Sequence, residues 1–346
     1  MTPPSPSPSP SPPSPTIPII NLSPLTSSPA SPSQSPPTSA HLELSRTLVQ
    51  ACHSTGFVYI TGHGIPASLI HEAFSYSRAF FALAEEQKAL VARRDGSKVF
   101  RGWSAVGREQ VGGVVDWTES YGLGIDNNPT QPNLWPPSSI LPGFRPFMHS
   151  FQDSCWAVSQ IILRALALGL GLPDHSSLLK FHAQSENELS LRHYPAVDAD
   201  VVESGQVDRL GAHTDYDSFT LLWQDGRGGL EVWDRNGGDG NGGWVDVRAV
   251  EGALVMNIGD VLQRWSNDFL VSTLHRVHLP PLDESYERRD GKRMTVPRFS
   301  IPYFVIPKGD TVMEPLEGGF GEGQQKKYEP VSFGEYQAKK NDDIFR

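Results

Sequence analysis

The chain of 346 residues has only two cysteines, Cys52 and Cys155, too few for the disulfide framework of a small secreted domain. Both lie on apolar patterns of helical spacing, so each is expected as a buried free thiol in a reducing compartment. No apolar run is long enough to span a bilayer, and no apolar segment follows a basic start. Neither a membrane span nor a secretory leader is therefore expected. Positive charge is also short: 29 Lys and Arg face 39 Asp and Glu, a formal net charge of −10. Without a basic stripe, nucleic acid is not an expected partner. The first sixteen residues are almost pure Pro and Ser with no Lys or Arg, which argues against a mitochondrial address. A second Ser/Pro-rich stretch covers Ser23 to Ser39. Such segments lack the apolar side chains to offset ordering entropy and are expected to be extended or disordered. A cytoplasmic location is the resulting default.

The remainder can bury a substantial core despite a hydrophobic fraction of 38%. Ile17 to Leu22 reads as a short strand, and Ala40 to Ser54 as a helix that stops at Gly56. Phe57 to Ile60 is a buried strand, and Pro66 to Leu83 a helix with proline at its start. Gly102 to Asn133, rich in glycine and without a sustained period, is expected to supply strands and a loop near a site mouth. Arg145 to Leu168 is the strongest helix, a backing element that ends at Gly169 and Gly171. From Glu188 the texture becomes short extended runs split by turn clusters: Leu189–Tyr194, Val207–His213, Ser218–Trp223, Gly229–Trp233, Trp244–Val247, Ala253–Ile258, Leu270–Val277 and Arg298–Phe304. These predict a jelly roll. The glycine run from Asn236 reads as a hairpin tip, Leu262 to Ser266 as a helical turn and Val331 to Lys340 as a closing helix. The organisation expected is a tail (1–16), an N-terminal helix and strand region (17–187), a jelly-roll core (188–310) and a C-terminal extension with a helix (311–346). The fold class is α+β.

His213 and Asp215 stand two apart in Gly211-Ala-His-Thr-Asp-Tyr, and His275 follows in Ser272-Thr-Leu-His-Arg-Val. Residues i and i+2 of a strand share a face, so one short segment can aim both His213 and Asp215 at one ion. His275 completes the two-histidine, one-carboxylate set that suits Fe(II) and leaves positions open for chemistry. The isolated His-x-Asp could equally be a hydrogen-bonded pair at a strand end. Its weight comes from Val296-Pro-Arg-Phe-Ser, where Arg298 and Ser300 share a strand face. The planar guanidinium matches a carboxylate, and the hydroxyl adds a donor. That pair suits the far carboxylate of 2-oxoglutarate. Of the eleven histidines, His278 and His193 fall on the wrong strand faces, and the others lie on helices or loops without a second ligand at workable spacing.

The chain resembles the isopenicillin-N-synthase-like branch of the Fe(II)/2-oxoglutarate dioxygenases over roughly residues 17 to 340. The supporting strings are Ile17-Pro-Ile-Ile-Asn-Leu, Gly56-Phe-Val-Tyr-Ile-Thr-Gly-His-Gly-Ile, Phe80-Phe-Ala-Leu, His193-Tyr-Pro-Ala-Val, His213-Thr-Asp-Tyr and Asn257-Ile-Gly-Asp. Within the branch, Arg101-Gly-Trp-Ser-Ala-Val-Gly-Arg-Glu, Leu221-Leu-Trp-Gln-Asp-Gly-Arg-Gly-Gly-Leu and Arg264-Trp-Ser-Asn-Asp are similar to fungal thymine dioxygenase-type enzymes. The resemblance implies a double-stranded β-helix, with Fe(II) and O2, and with 2-oxoglutarate converted to succinate and CO2 as a C–H bond is hydroxylated or desaturated. It also implies that Tyr194 donates its phenol to the oxoacid. The acidic charge counts against the branches that demethylate nucleic acid.

Two departures are notable. Asn21 replaces an acid found in many relatives and is expected to touch only a local turn. Ser190 stands where the thymine enzymes carry an arginine facing the pyrimidine, while Arg192 lies two residues on, on the same strand face. Asn257 and Asp260 read as turn-making structural residues. Arg192, Ser190, Tyr216 and Phe304 are the candidate substrate contacts, with Trp103 and Trp223 as further wall candidates. The expected substrate is a small planar heterocycle or secondary metabolite, and the expected state a monomer or weak oligomer. Two rivals remain at this level: an oxidase of the same fold that uses no 2-oxoglutarate, and a zinc hydrolase.

Overall fold

The computed structural model describes residues 17–26, 37–93, 100–126, 128–235, 237, 241–281, 285–316 and 325–344. The expectation for the Pro/Ser tail lies outside these residues, as do part of the second Ser/Pro stretch and part of the glycine run from Asn236. In chain order, β1 (Ile19–Asn21), α1 (Ser23–Thr26), α2 (Ser39–Ser54), β2 (Phe57–Thr61), α3 (Ala67–Phe81), α4 (Glu85–Ala89) and β3 (Gly102–Ser104) come first. The small hairpin β4 (Gln110–Val111) and β5 (Val114–Val115) and the strand β6 (Glu119–Leu123) follow. Helix α5 (Phe144–Gly169) leads to β7 (Glu188–Tyr194), α6 (Ala199–Glu203), β8 (Leu210–His213), β9 (Phe219–Gln224), β10 (Leu230–Asp234) and β11 (Gly243–Asp246). Next are β12 (Leu254–Ile258), α7 (Asp260–Trp265) and β13 (His275–Val277). The hairpin β14 (Tyr286–Arg289) and β15 (Lys292–Thr295), then β16 (Arg298–Val305), β17 (Val312–Met313), β18 (Val331–Ser332) and α8 (Phe333–Ile344), complete the order.

Two sheets enclose the site. The larger has the order β1-β2-β12-β9-β16-β7-β6-β3, and the smaller β11-β10-β13-β8. Pairing is antiparallel except between β1 and β2. Four strands that precede Glu188 thus belong to the same sheet as the later ones. Because side chains alternate along a strand, the large sheet has two distinct faces. On β16, Phe299, Ile301, Tyr303 and Val305 join the main apolar core, whereas Arg298, Ser300, Pro302 and Phe304 line the cavity between the sheets.

Helix α5 closes the outer face. Met148, Phe151, Cys155, Val158, Ile162 and Leu166 form its buried stripe, each large apolar side chain stabilising the fold by about 1.5–3 kcal/mol. Phe151 meets Trp223 of β9 edge-on at 5.3 Å. The helix starts after Gly143 at φ 75°. It ends where the Leu172 amide reaches back to the Ala167 carbonyl (3.0 Å) and the Gly171 amide to Leu168 (3.1 Å). Gly171 sits at φ 74°, which is the left-handed glycine stop that the sequence signalled.

Three sequence expectations change. Ser23–Thr26 is a helical turn rather than extended chain, because the Asn21 side chain accepts the Ser23 amide (2.9 Å) and the Thr26 hydroxyl donates to the Gly62 carbonyl (2.9 Å). Of Leu270–Val277 only His275–Val277 is strand. Asn267 and Asp268 turn left-handed (φ 53° and 68°), and side chains then take the next amides: Ser266 Oγ accepts from Leu270 (2.8 Å) and Gln263 Oε1 from Ser272 (2.6 Å). The β14–β15 hairpin was not anticipated, although its Asp290-Gly291 turn, at φ 50° and 78°, is a strong hairpin signal.

His182 is locked behind the site, its Nδ1 against the Leu178 carbonyl (2.7 Å) and its Nε2 against Ser218 Oγ (2.8 Å). Burial lowers its pKa from the usual 6.5 to about 4. The folded value lies below the unfolded one, so this stability is fully present above pH 6.5 and lost as pH falls toward 4. The window is worth about 3 kcal/mol. Urea midpoints measured across it should show a shallower acid loss for His182→Gln than for wild type; parallel curves would place the acid sensitivity elsewhere.

Candidate metal centre and active-site chamber

His213 ends β8, and His275 opens β13 as its directly paired neighbour, so the two rings stand 4.3 Å apart. Asp215 lies just past the strand end. Convergence is therefore as the spacing predicted, but a turn rather than a strand face delivers the carboxylate. Asp215 Oδ1 is 3.7 Å from the Nε2 of each histidine, and one ligand atom from each residue falls within 4.8 Å of the others.

The donor set suits a metal. His213 Nδ1 contacts the Gly211 carbonyl (2.8 Å) and His275 Nδ1 the Thr273 carbonyl (3.1 Å). A carbonyl only accepts, so each Nδ1 carries the proton and each Nε2 keeps its lone pair. Burial, then the neighbouring His275, lowers the His213 pKa to about 4, which leaves a neutral imidazole. Burial pushes the Asp215 carboxyl up, but the two imidazoles and hydrogen bonds from Thr220 and Asn257 outweigh it and hold it below the usual range. Those bonds both fall on Oδ2, from Thr220 Oγ1 at 2.5 Å and Asn257 Nδ2 at 2.7 Å, so Oδ1 is left for an ion. Asn257 thus lies on β12 and orients the carboxylate instead of making a turn. Thr220 escaped the sequence reading; its only signal was its place beside the His-x-Asp string.

The wall facing the triad follows from strand register. Phe57, Asn257, Thr220, Phe304 and Glu188 form one cross-strand row, by the pairs Phe57↔Asn257, Asn257↔Thr220, Thr220↔Phe304 and Phe304↔Glu188. Further along, Gln224, Ser300, Arg192 and Ser120 form another, and Arg298 pairs with Tyr194. Arg298 is 1% exposed; it donates to Gln224 Oε1 (3.0 Å) and Ser300 Oγ (3.3 Å), while its Nε has no partner among the described residues. Its guanidinium lies 4.7 Å from the Tyr194 ring centre, and that of Arg209 lies 5.5 Å from the same ring. Arg209 is fully buried with no hydrogen-bond partner for any of its nitrogens among the described residues. Burial, then the like charge of Arg298, lowers its pKa to about 10. Two buried cations around one tyrosine make this end of the chamber strongly receptive to an anion.

The other end is polar and mixed. Glu109, Asp116, Glu188, Ser190 and Tyr216 line the chamber there, and Arg192 stands between the two ends, paired directly across from Ser300. Burial pushes the Asp116 carboxyl up to about 7, and raises Glu188 and Tyr216 as well. Glu109 and Asp116 were missed, because an irregular glycine-rich segment offers no period from which to assign a face. Trp103 and Trp223 do not reach the chamber. Both point to the opposite face, where Trp103 Nε1 donates to Glu119 Oε2 (2.8 Å) and Trp223 packs on Phe151. His193 also faces that way, bonded to Glu119 (2.8 Å) and stacked on Phe299 at 4.6 Å.

Replacing Asn257 by Leu removes one of two donors that fix Asp215 Oδ2. Affinity for a divalent metal should fall about ten- to hundredfold, measured by direct titration of metal-free protein with its circular dichroism unchanged. Undiminished affinity would show that Thr220 alone fixes the carboxylate.

The N-terminal domain model of non-haem dioxygenases in morphine synthesis matches residues 17–138, and that of the 2OG-Fe(II) oxygenase superfamily matches residues 181–307. The chain is 35% identical over 318 residues to the 2-oxoglutarate-Fe(II) type oxidoreductase ppzD of Metarhizium rileyi, covering 88% of this chain and 86% of that protein. It is 36% identical over 288 residues to the proline hydroxylase buaE of Petromyces alliaceus, covering 81% and 86%. The full-length thymine 7-hydroxylase of Neurospora crassa in complex with alpha-KG superposes with a TM-score of 0.80 at 34% identity, over 94% of this chain and 95% of that one. The same protein with alpha-KG and thymine gives 0.78 at 33% identity, over 94% and 96%. With the triad, the jelly-roll sheets and the extent of these similarities in agreement, the chain belongs to the 2-oxoglutarate–Fe(II) oxygenase superfamily.

Proposed function

We propose that His213 Nε2, Asp215 Oδ1 and His275 Nε2 hold Fe(II) and that Arg298 and Ser300 take the far carboxylate of 2-oxoglutarate, with the Tyr194 phenol as a further donor to it. The observation that carries this is the meeting of three ligand atoms within 4.8 Å on the small sheet with a buried Arg298–Ser300 pair on the facing wall of the same chamber. When bound, the iron with O2 and 2-oxoglutarate supplies the oxidising chemistry, giving succinate, CO2 and a hydroxylated substrate.

The protein's own residues do the rest. His213 and His275 each direct Nε2 toward the ion site while Nδ1 is held by a backbone carbonyl, and the fixed Asp215 presents a single free oxygen. Arg298, stacked on Tyr194, offers the unpartnered Nε–H and a second positive charge stands behind it at Arg209. Phe57, Leu230, Val277 and Tyr194, from an apolar cluster between the sheets, exclude water around the reacting atoms. Ser190, Arg192, Tyr216 and Phe304 contact the substrate and set which C–H bond faces the metal.

The chain is read as an N-terminal region (17–187), a catalytic core (188–310) and an extension (311–346). It acts in the cytoplasm on a small molecule, without nucleic acid or membrane, as a monomer or weak oligomer. No helix among the described residues is long and apolar enough to cross a membrane. The relatives name two substrate types, proline for buaE and thymine in the complex of the Neurospora enzyme, and both are candidates for this chamber.

Succinate release with Fe(II), 2-oxoglutarate and air is the direct assay. His275→Ala should abolish turnover and sharply weaken Fe(II) binding; retained turnover removes the triad assignment. Arg298→Ala should raise the 2-oxoglutarate requirement by roughly two decades, a charge-assisted contact being worth about 1.5–3 kcal/mol. An unchanged requirement would exclude Arg298 from the cosubstrate site.

A further inference from the structure

Arg192 sits one cross-strand step from Ser300 and pairs on its other side with Ser120. Its Nη1 is buried without a hydrogen bond among the described residues. The carboxylate of Glu109 comes only to 3.8 Å, outside hydrogen-bond reach, while the other Glu109 oxygen is taken by Ser120 (3.2 Å) and Arg93 (3.4 Å). Asp116 is 1% exposed; its Oδ1 accepts the Gly211 amide (2.9 Å), and its Oδ2 is buried with no partner among the described residues. Both residues line the chamber. A guanidinium nitrogen, Arg192 Nη1, and a carboxyl oxygen, Asp116 Oδ2, therefore share one cavity, each buried and without the hydrogen bond that burial ordinarily demands among the described residues.

We propose that the substrate is a small free amino acid bound as its zwitterion, its carboxylate on Arg192 and its ammonium on Asp116, with Glu109 adding negative charge nearby. The proposal rests on the oxygenase reading of the site and names its substrate class. A neutral ring such as thymine also offers a carbonyl and an N–H, but it meets these groups without charge, and charge-assisted hydrogen bonds are about twice as strong as neutral ones.

The test compares succinate release above the substrate-free rate for a panel of free amino acids led by L-proline, then for L-proline methyl ester, N-acetyl-L-proline and thymine. A free amino acid should stimulate release, and capping either of its charged groups should lower kcat/KM at least about tenfold, with thymine inactive. Arg192→Gln should raise the amino-acid KM about ten- to hundredfold and erase the difference between the acid and its methyl ester. The KM for 2-oxoglutarate should stay within about twofold. Asp116→Asn should likewise erase the difference between free and N-acetylated amine. These ratios compare ligands on one protein, so partial misfolding of a variant cancels. A substrate-free rate that no amino acid stimulates, better turnover of thymine or of a capped compound, or an acid-to-ester ratio unchanged in Arg192→Gln overturns the substrate class alone. Absence of any succinate from iron-loaded protein overturns the oxygenase reading and this proposal with it.

Discussion

One carboxylate oxygen organises the site. Asp215 Oδ2 collects Thr220 of β9 and Asn257 of β12, while the Asp215 carbonyl accepts the Asp260 amide at the start of α7 (2.8 Å). The residue just past the end of β8 is thereby pinned to β9 and β12 at the centre of the large sheet. Burial favours a protonated Asp215, which is a poor ligand, and these hydrogen bonds add to the two neighbouring imidazoles in opposing it. The hydrogen bonds thus serve geometry and ionisation at once.

The large sheet separates two demands that conflict in most cavities. Its outer face is apolar and close-packed beneath α5, which provides stability. Its inner face carries Arg298, Ser300, Arg192, Glu188 and Ser190, groups that are costly to bury and lower stability unless a ligand meets them. Arg209 and Arg298 around Tyr194 illustrate the cost. Burial, then the like charge of Arg298, weakens the hold of Arg209 on its proton, and the apolar cluster beside them offers no relief. An anion at this end of the chamber would supply the missing counter-charge.

Much of this was legible in the sequence, and the reasons differ from residue to residue. That His213, Asp215 and His275 meet, and that Arg298 and Ser300 share the chamber wall, was readable because strand periodicity is local. The faces of Phe304, Ser190 and Arg192 followed from the same alternation. The α5 stop was readable because only glycine adopts φ 74° without strain. What escaped depended on distant partners. Asn257 looked like a turn residue because its bond to Asp215 joins positions far apart in sequence. Trp103 and Trp223 looked like pocket aromatics, yet their faces are set by pairing with β6 and by α5, which no local pattern records. Glu109 and Asp116 lie in segments without a period, so only the folded chain shows that they meet.

The period of two has a consequence for how such an enzyme can change. A single-residue insertion within β7 or β16 would exchange the two faces of that strand. Arg298, Ser300 and Arg192 would then be driven under α5, and Ile301, Tyr303 and Leu191 turned into the cavity. Only a local bulge, such as the register shift between His275 and Val277, could absorb the extra residue without that exchange. Divergence in substrate choice along these strands is therefore confined to exchanging one side chain for another at fixed length. Gains and losses of residues are left to the connecting loops, and ligand preference drifts in discrete positions on an otherwise invariant lattice.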